Sequence, residues 1–570
     1  MLHTLWRLCG LVLAAPAAAV LVDFQVAQPP PVPQDAQQCT IQILQRDFAN
    51  SFGDAEVVQY TPPTDCGEPG SWAGVTLNFT VTSNGTQFDR LAIFTFQNVE
   101  IWRSSTPEPT TAGIIWTYVK DVTRYTPLFA KPGTFILQLD NLLETSPLLN
   151  GVYSTTLHAT FYASSKAHPP AKRANTIIPL STLSNTTGND ASVPPSFSIN
   201  VTLPQNAVEV YAELYPSGNG NEEFWYFNIA NQFLPDLPSG NLGQGPFKEV
   251  RLLVDNQVAG VAFPYPVIFT GGILPPAWRP ITSYGALDLP TYFLDLTPFV
   301  PLLTDGQPHL FTIDVASAEA DKTILQNWFV SGLLQVVTDS SSKPTTGNMT
   351  SYSADPFAVA TITGSVGDNG DVNITVSATR KIHITSEIRS GSGHVNSVVW
   401  SQDLQYINQQ NYLDNTLVQN LFQTSSGTVL STHNGVPAVM DTFSYPIEIN
   451  ITSLNSAGST FTAAFDHSYD RVLLPSPFIL GSTIKERQVA GGIFVEASTG
   501  NTGNGTSNNT FTYSDLAGNT FNRQVDAAFN NITLDVQSGS LSTARKPPAF
   551  PSTHNSGIFA GARLPPGRGK

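Results

Sequence analysis

Where the chain is apolar, its apolar and polar positions mostly alternate with a period of two. Val75-Thr-Leu-Asn-Phe-Thr-Val sets out the pattern. Asp89-Arg-Leu-Ala-Ile-Phe-Thr-Phe, Val99-Glu-Ile-Trp-Arg, Gly113-Ile-Ile-Trp-Thr-Tyr-Val and Phe135-Ile-Leu-Gln-Leu follow it. Each run is short, rich in β-branched or aromatic residues, and closed by Gly, Pro or Asn, as half-buried strands are. Helical periodicity is nearly absent; Asp121 to Phe129 reads as one helical turn, with Asp and Thr placed to satisfy its first amides. That turn recurs: Asp121-Val-Thr-Arg-Tyr-Thr-Pro-Leu-Phe matches Asp295-Leu-Thr-Pro-Phe-Val-Pro-Leu-Leu. A Gly turn and a strand follow each copy, Phe135-Ile-Leu-Gln-Leu and Leu310-Phe-Thr-Ile-Asp-Val. The repeat predicts two tandem jelly-roll-like antiparallel sandwiches, 23–165 and 176–345. A further β-rich region is expected over 355–540, where Phe357-Ala-Val-Ala-Thr-Ile-Thr and Phe443-Ser-Tyr-Pro-Ile-Glu-Ile-Asn-Ile alternate. Gly500 to Asn509 reads as a flexible Gly/Asn/Thr loop.

Composition fits this mainly-β reading. The 570 residues include 43 Pro and 42 Gly, and only 12% are charged, about half the usual share. The net charge of −16 argues against a nucleic-acid partner. At the N-terminus, Arg7, the apolar run Leu8–Ala15 and Ala17-Ala18-Ala19 read as a signal peptide over 1–19. No other stretch approaches the length of a membrane span. The expected localisation is therefore secreted. Removing the leader removes Cys9 and leaves Cys39 and Cys66, a pair expected to form one disulfide in an oxidising compartment. Ten N-x-S/T sequons support secretion: Asn78, Asn84, Asn185, Asn200, Asn348, Asn373, Asn450, Asn504, Asn508 and Asn531. In the linker 166–175, Lys172-Arg173 is a candidate maturation site; cutting after Arg173 would leave two associated chains. Residues 541–570 carry only basic charges among Pro, Gly and Ser, and read as a disordered tail.

Candidate chemistry rests on a few acids. The sequence has no GxSxG elbow, HExxH or P-loop, and its nine His are scattered. Asp89 opens an apolar strand. Glu100 would lie opposite it in a hairpin, with Arg90 and Arg103 alongside. Glu222 and Glu223 follow a Gly-rich turn and precede Phe224-Trp225-Tyr226. Acids against apolar walls can divide acid and base roles between them. Trp102 and Trp225, beside these acids, are candidate sugar-stacking platforms, although core packing explains tryptophans equally well. Glu108, between two prolines, reads as an exposed loop acid. Taken alone, each of these acids is more readily structural than catalytic. Tandem sandwiches with exposed aromatics also fit a non-catalytic glycan-binding protein, and two carboxylates an endo-type glycosidase; both stand as alternatives.

Two series of motifs narrow the choice. Phe48-Ala-Asn-Ser-Phe-Gly, Gln87-Phe-Asp-Arg-Leu-Ala, Val99-Glu-Ile-Trp-Arg-Ser-Ser-Thr-Pro-Glu-Pro-Thr and Lys120-Asp-Val-Thr-Arg-Tyr form the first. Glu222-Glu-Phe-Trp-Tyr, Pro264-Tyr-Pro-Val-Ile-Phe-Thr-Gly-Gly-Ile and Trp278-Arg-Pro-Ile form the second. In this order they resemble the peptide-N4-(N-acetyl-β-glucosaminyl)asparagine amidase A family, secreted acidic amidases of plants and fungi. The resemblance implies hydrolysis of the amide joining an N-glycan to Asn in glycopeptides or glycoproteins, with neither metal nor organic cofactor. The bacterial peptide N-glycosidase F is a more distant likeness, with two jelly rolls and acids at their junction. It implies Asp89 as the main acid/base, Glu100 as a supporting acid, and Glu222 or Glu223 as the acid that orients sugar and water. Arg90, Arg103 and Arg279 are then candidates to stabilise the oxyanion.

Overall fold

The structure, a computed structural model, describes residues 21–542 except Thr499. The expected leader, and the expected tail beyond Ser542, lie outside the described residues. Three β-rich bodies follow one another. The first is built from β1 (Gln38–Phe48), β2 (Glu56–Tyr60), β3 (Gly74–Ser83), β4 (Leu91–Phe96), β5 (Val99–Ser105), β6 (Ile114–Asp121), β7 (Gly133–Leu139) and β8 (Tyr153–Tyr162). One sheet runs β1-β8-β3-β6 and the facing sheet β2-β7-β4-β5. Leu77, Phe79 and Val81 alternate inward from β3 and meet Phe94 and Trp102 of the other sheet.

The second body repeats these eight strands, while short extra strands differ: Val22–Asp23 runs parallel to β6 in the first body and Ala191–Val193 pairs with the last strand of the second. The second body contains β9 (Thr176–Leu180), β10 (Phe197–Val201), β11 (Ala207–Asn219), β12 (Lys248–Val254), β13 (Gln257–Ala262), β14 (Tyr292–Asp295), β15 (His309–Ser317) and β16 (Asn327–Thr338). Its sheets run β9-β16-β11-β14 and β10-β15-β12-β13, the same order shifted by eight. The sequence repeat falls at one place in both. Asp121 accepts from the Thr123 amide at 2.8 Å, and Asp295 from the Thr297 amide at 2.8 Å. Thr123 Oγ1 then accepts from the Val75 amide and Thr297 Oγ1 from the Val210 amide, pinning each helical turn to the neighbouring strand. The shared turn therefore closes equivalent corners of two like sandwiches. A disulfide joins Cys39 of β1 to Cys66. The linker is mostly exposed but tethered: the Ala171 amide donates to the Trp72 carbonyl and Arg173 to the Gly70 carbonyl, while Lys172 and Arg173 stay exposed.

The third body begins at Thr346, ahead of the expected boundary. It is one antiparallel sheet of eleven strands: β17 (Thr346–Ala354), β18 (Val359–Val366), β19 (Val372–Arg389), β20 (Val395–Leu413), β21 (Val418–His433), β22 (Val436–Ser453), β23 (Thr460–Leu473), β24 (Ser482–Val495), β25 (Thr502–Asp515), β26 (Thr520–Ala528) and β27 (Asn531–Ser538). β17 and β18 pair along different parts of β19, and every later strand pairs with the one before it. One face packs on the second sandwich and on the long segment between β13 and β14. There Trp278 meets Phe465 at 4.8 Å and the Tyr406 hydroxyl donates to the Pro246 carbonyl at 2.6 Å. Contrary to expectation, most of Gly500 to Asn509 belongs to β25. The glycines serve close approach: a Cβ on Gly505 would lie 2.6 Å from the Pro276 carbonyl.

Candidate active site

The hairpin β4–β5 decides which acids can meet. Its two-residue turn is Gln97-Asn98, both with positive φ (54° and 64°), as a tight right-twisted hairpin requires. Phe96 pairs with Val99 and Thr95 with Glu100, so Glu100 lies at the turn end. Asp89 lies beyond the open end, where Leu91 pairs with Ser105. Six residues of strand, on the order of 20 Å, separate Asp89 from the level of Glu100. The expected Asp89–Glu100 pairing is therefore not formed.

The acid that meets Asp89 is Glu108. Past the strands, the Arg90 amide donates to Thr106 Oγ1 at 2.8 Å and the Thr106 amide to the Arg90 carbonyl at 2.9 Å, extending the hairpin. The buried Tyr153 hydroxyl lies 2.7 Å from the Phe88 carbonyl and 3.3 Å from that of Pro107, the residues preceding the two acids. Asp89 is 4% exposed and Glu108 1%, so Glu108 is not the expected exposed loop acid. Gly271 sits between them, its amide donating to Asp89 Oδ2 at 3.3 Å. A Cβ placed on Gly271 would lie 2.4 Å from Glu108 Oε1 and 3.1 Å from Asp89 Oδ1. Those two oxygens are thus no further apart than the sum of these distances. Thr270 Oγ1 accepts from the Glu108 amide at 3.2 Å and donates to the Thr106 carbonyl at 2.8 Å. Arg279 donates to the Glu108 and Pro109 carbonyls at 3.2 and 3.1 Å and lies 3.6 Å from Glu108 Oε2. Burial pulls the Arg279 pKa down and the Glu108 charge opposes that pull. Burial also pushes the Tyr153 phenol up, with the charges of Asp89 and Glu108 adding to the shift.

The second sandwich supplies the remaining acid, and its two adjacent glutamates separate cleanly. Glu222 is fully buried; it accepts from the Leu325 amide at 2.6 Å and Trp328 Nε1 at 3.2 Å and lies 3.3 Å from Lys248 Nζ. Its partners are structural, which argues against the expected catalytic role. Glu223 is half-buried and lines a cleft with Trp225, Phe269, Leu289, Pro290 and Trp328. The segment Phe269–Gly272 joins the two halves of the site. Phe269 lines the Glu223 cleft, Gly271 faces Asp89 and Glu108, and a Cβ on Gly272 would meet Phe224 at 3.4 Å.

The other expected residues divide. Trp225 is in the cleft wall, though only 4% exposed and packed on Trp328. Trp102 is a core residue and no sugar platform: it is fully buried, stacks on Phe94 at 4.4 Å and donates its indole N–H to the Leu287 carbonyl. Arg90 is half-buried and directs its guanidinium to Gln87 and Asn141. Glu100 and Arg103 form a buried ion pair between the sandwiches rather than a substrate contact. The residue missed by sequence reasoning is Glu108, and the signal was the hairpin register.

The sequence profile of the family described as peptide N-acetyl-beta-D-glucosaminyl asparaginase amidase A matches residues 28–355, and that of its C-terminal domain residues 373–447. The peptide-N4-(N-acetyl-beta-glucosaminyl)asparagine amidase A of Prunus dulcis is 33% identical over 454 residues, 74% of this chain and 77% of its own. Among solved structures, recombinant peptide: N-glycanase F aligns over 53% of this chain and 96% of its own, with 14% identity and a TM-score of 0.35. Another, PNGase F from Flavobacterium meningosepticum, described as a glycosylasparaginase, covers 53% of this chain and 97% of its own, with 14% identity and a TM-score of 0.34. On the profile match and the Prunus dulcis relative, the chain belongs to the peptide N-acetyl-beta-D-glucosaminyl asparaginase amidase A family.

Proposed function

We propose that this chain hydrolyses the β-aspartylglucosamine amide of N-glycopeptides through Asp89, Glu108 and Glu223. The observation that carries the reading is the convergence of the buried Asp89 and Glu108 carboxyls on Gly271. Amide hydrolysis needs one group to take a proton from the attacking water and one to give a proton to the departing nitrogen. Adjacent carboxyls supply both. Asp89 activates the water, whose oxygen bonds to the side-chain carbonyl carbon. Glu108 is the proton partner, and the carbon–nitrogen bond breaks. The peptide keeps Asp where it had Asn, and the glycan leaves as a glycosylamine that then loses ammonia. Glu223 and Trp225, from the second sandwich, orient the first sugar. Neither sandwich is competent alone, because the acids come from both.

The protein acts outside the cytosol. The Cys39–Cys66 disulfide supports an oxidising compartment, and sequons Asn84, Asn185, Asn200, Asn348, Asn373 and Asn504 lie at exposed positions.

The test is a defined N-glycopeptide incubated with the protein and read by mass spectrometry. Free glycan plus a peptide carrying Asp is the expected result. A peptide retaining one N-acetylglucosamine would make the reaction glycosidic, and an unchanged but retained glycopeptide would reduce the protein to a binding module. In the active case, Asp89→Asn removes activity while thermal unfolding stays at the wild-type temperature.

A further inference from the structure

The buried ion pair between the sandwiches reaches the strands that carry Glu223. Arg103 is 1% exposed. Its Nε and Nη2 donate to the two oxygens of Glu100 at 2.7 and 2.8 Å. Its Nη1 crosses to the second sandwich and donates to Ser217 Oγ at 2.7 Å and to the Phe329 carbonyl at 2.8 Å. Ser331 Oγ, from the same sandwich, bonds to Glu100 Oε2. Ser217 and Phe329 are direct cross-strand partners on β11 and β16. One step further along the ladder, Gly218 faces Trp328, and the chain then turns at Gly220 (φ +57°) into Glu222 and Glu223. The turn folds closely over β11: a Cβ on Gly218 would lie 2.2 Å from the Glu222 carbonyl oxygen. The Trp328–Glu222 bond fixes the turn to β16. At its other end, Arg103 pairs with Ile93 on β4, the strand that Asp89 precedes.

A planar guanidinium with four directed bonds thus runs from β5, the strand paired with the one that follows Asp89, to the strand pair that carries Glu223. An apolar pair of similar volume would hold the sandwiches together about as well, because a buried ion pair's desolvation cost offsets most of its attraction. What the charged fork adds is direction.

We propose that Arg103, held in its rotamer by Glu100, is a positioning residue that sets Glu223 against Asp89 and Glu108. The proposal rests on the reading of Glu223 above. The test compares Arg103→Lys, Glu223→Gln and their combination on a defined glycopeptide, together with a Glu100→Leu/Arg103→Met variant that leaves no unpaired charge. The Leu/Met variant is expected to fold with a near-wild-type unfolding temperature and to lose about tenfold or more in kcat. Arg103→Lys is expected to lower kcat in the wild-type background and to cost little further in the Glu223→Gln background. Fully multiplicative losses in that cycle, or a folded Leu/Met variant with wild-type kcat, would overturn the proposal. If the Leu/Met variant does not fold, the cycle alone decides. A fully active Glu223→Gln enzyme would instead remove the reading of Glu223 on which the proposal stands.

Discussion

Replacing Gly271 with alanine tests the site through its tightest contact. Gly271 is not among the glycines with positive φ, so the substitution brings a steric penalty and no conformational one. The new methyl would stand 2.4 Å from Glu108 Oε1, 3.0 Å from its Cδ and 3.1 Å from Asp89 Oδ1. An unstrained carbon–oxygen contact is about 3.3 Å, so the Glu108 carboxyl must retreat by about 1 Å and that of Asp89 by a few tenths. Glu108 has little room to retreat as a unit, because Thr270 and Arg279 hold its backbone. The carboxyl must therefore rotate out of line. A displacement of this size between reacting groups costs about 100-fold in rate, or about 2.7 kcal/mol of transition-state stabilisation. Local overpacking costs about 1–3 kcal/mol of stability. The assay is the rate of glycan release from a defined glycopeptide, with thermal unfolding as control. Gly271→Ala should unfold cooperatively a few degrees early and turn over about 100-fold more slowly. Wild-type kcat and KM in a folded Gly271→Ala protein would refute a catalytic role for the Asp89–Glu108 pair.

Further predictions concern the separation of roles. Glu223→Gln should lower kcat while leaving the unfolding temperature intact, whereas Glu222→Gln should act on stability by weakening the bonds to Leu325, Trp328 and Lys248; denaturant titration beside steady-state kinetics separates them. Trp102→Ala should cost about 3–5 kcal/mol of stability, read by denaturant midpoint, with no specific rise in KM for the glycopeptide. His433 gives a pH signature. Asp295 and Glu209 face its ring at 3.0 and 3.8 Å and, against the effect of burial, push its pKa up to about 10. The folded protein holds this proton more tightly than the unfolded chain, so the contribution is full below about pH 6.5 and lost as pH rises towards 10. The stability difference between wild type and His433→Gln should therefore shrink by on the order of a few kcal/mol between pH 6 and 10; a difference independent of pH would sink the assignment.

Much of the fold was legible because period-two alternation and the Asp-x-Thr turn are local signals. Asp121 and Asp295 each close their turn with bonds to nearby residues, so the sequence match is a structural match. Long-range packing was not legible. Gly503 and Gly505 look like loop residues until Pro276 is found against them. Trp102 and Trp225 flank acids in sequence, yet Trp102 points inward from β5 into the sandwich core, whereas Trp225 opens a 3-10 turn beyond the end of β11 and lines a cleft. The acid pair was within reach. Counting back from a two-residue turn at Gln97-Asn98 carries Asp89 past Glu100 to the level of Thr106, and a bulge at Ile101 moves it one residue further, to Pro107 beside Glu108.

The neighbour-to-neighbour order of the C-terminal sheet also bears on how the chain is made. Each strand from β20 to β27 pairs with the one just synthesised, so the sheet can zip up through short loops as it emerges. The sandwiches join strands distant in sequence, such as β1 with β8 and β9 with β16. They also leave the ribosome first. Until β19 to β25 arrive, the apolar surface that includes Trp278, Phe247 and Val261 has no cover, and a chain stopped near Thr345 would keep it exposed. The last third of the protein, remote in sequence from the catalytic acids, thus serves the first two-thirds as the permanent replacement for a chaperone's surface.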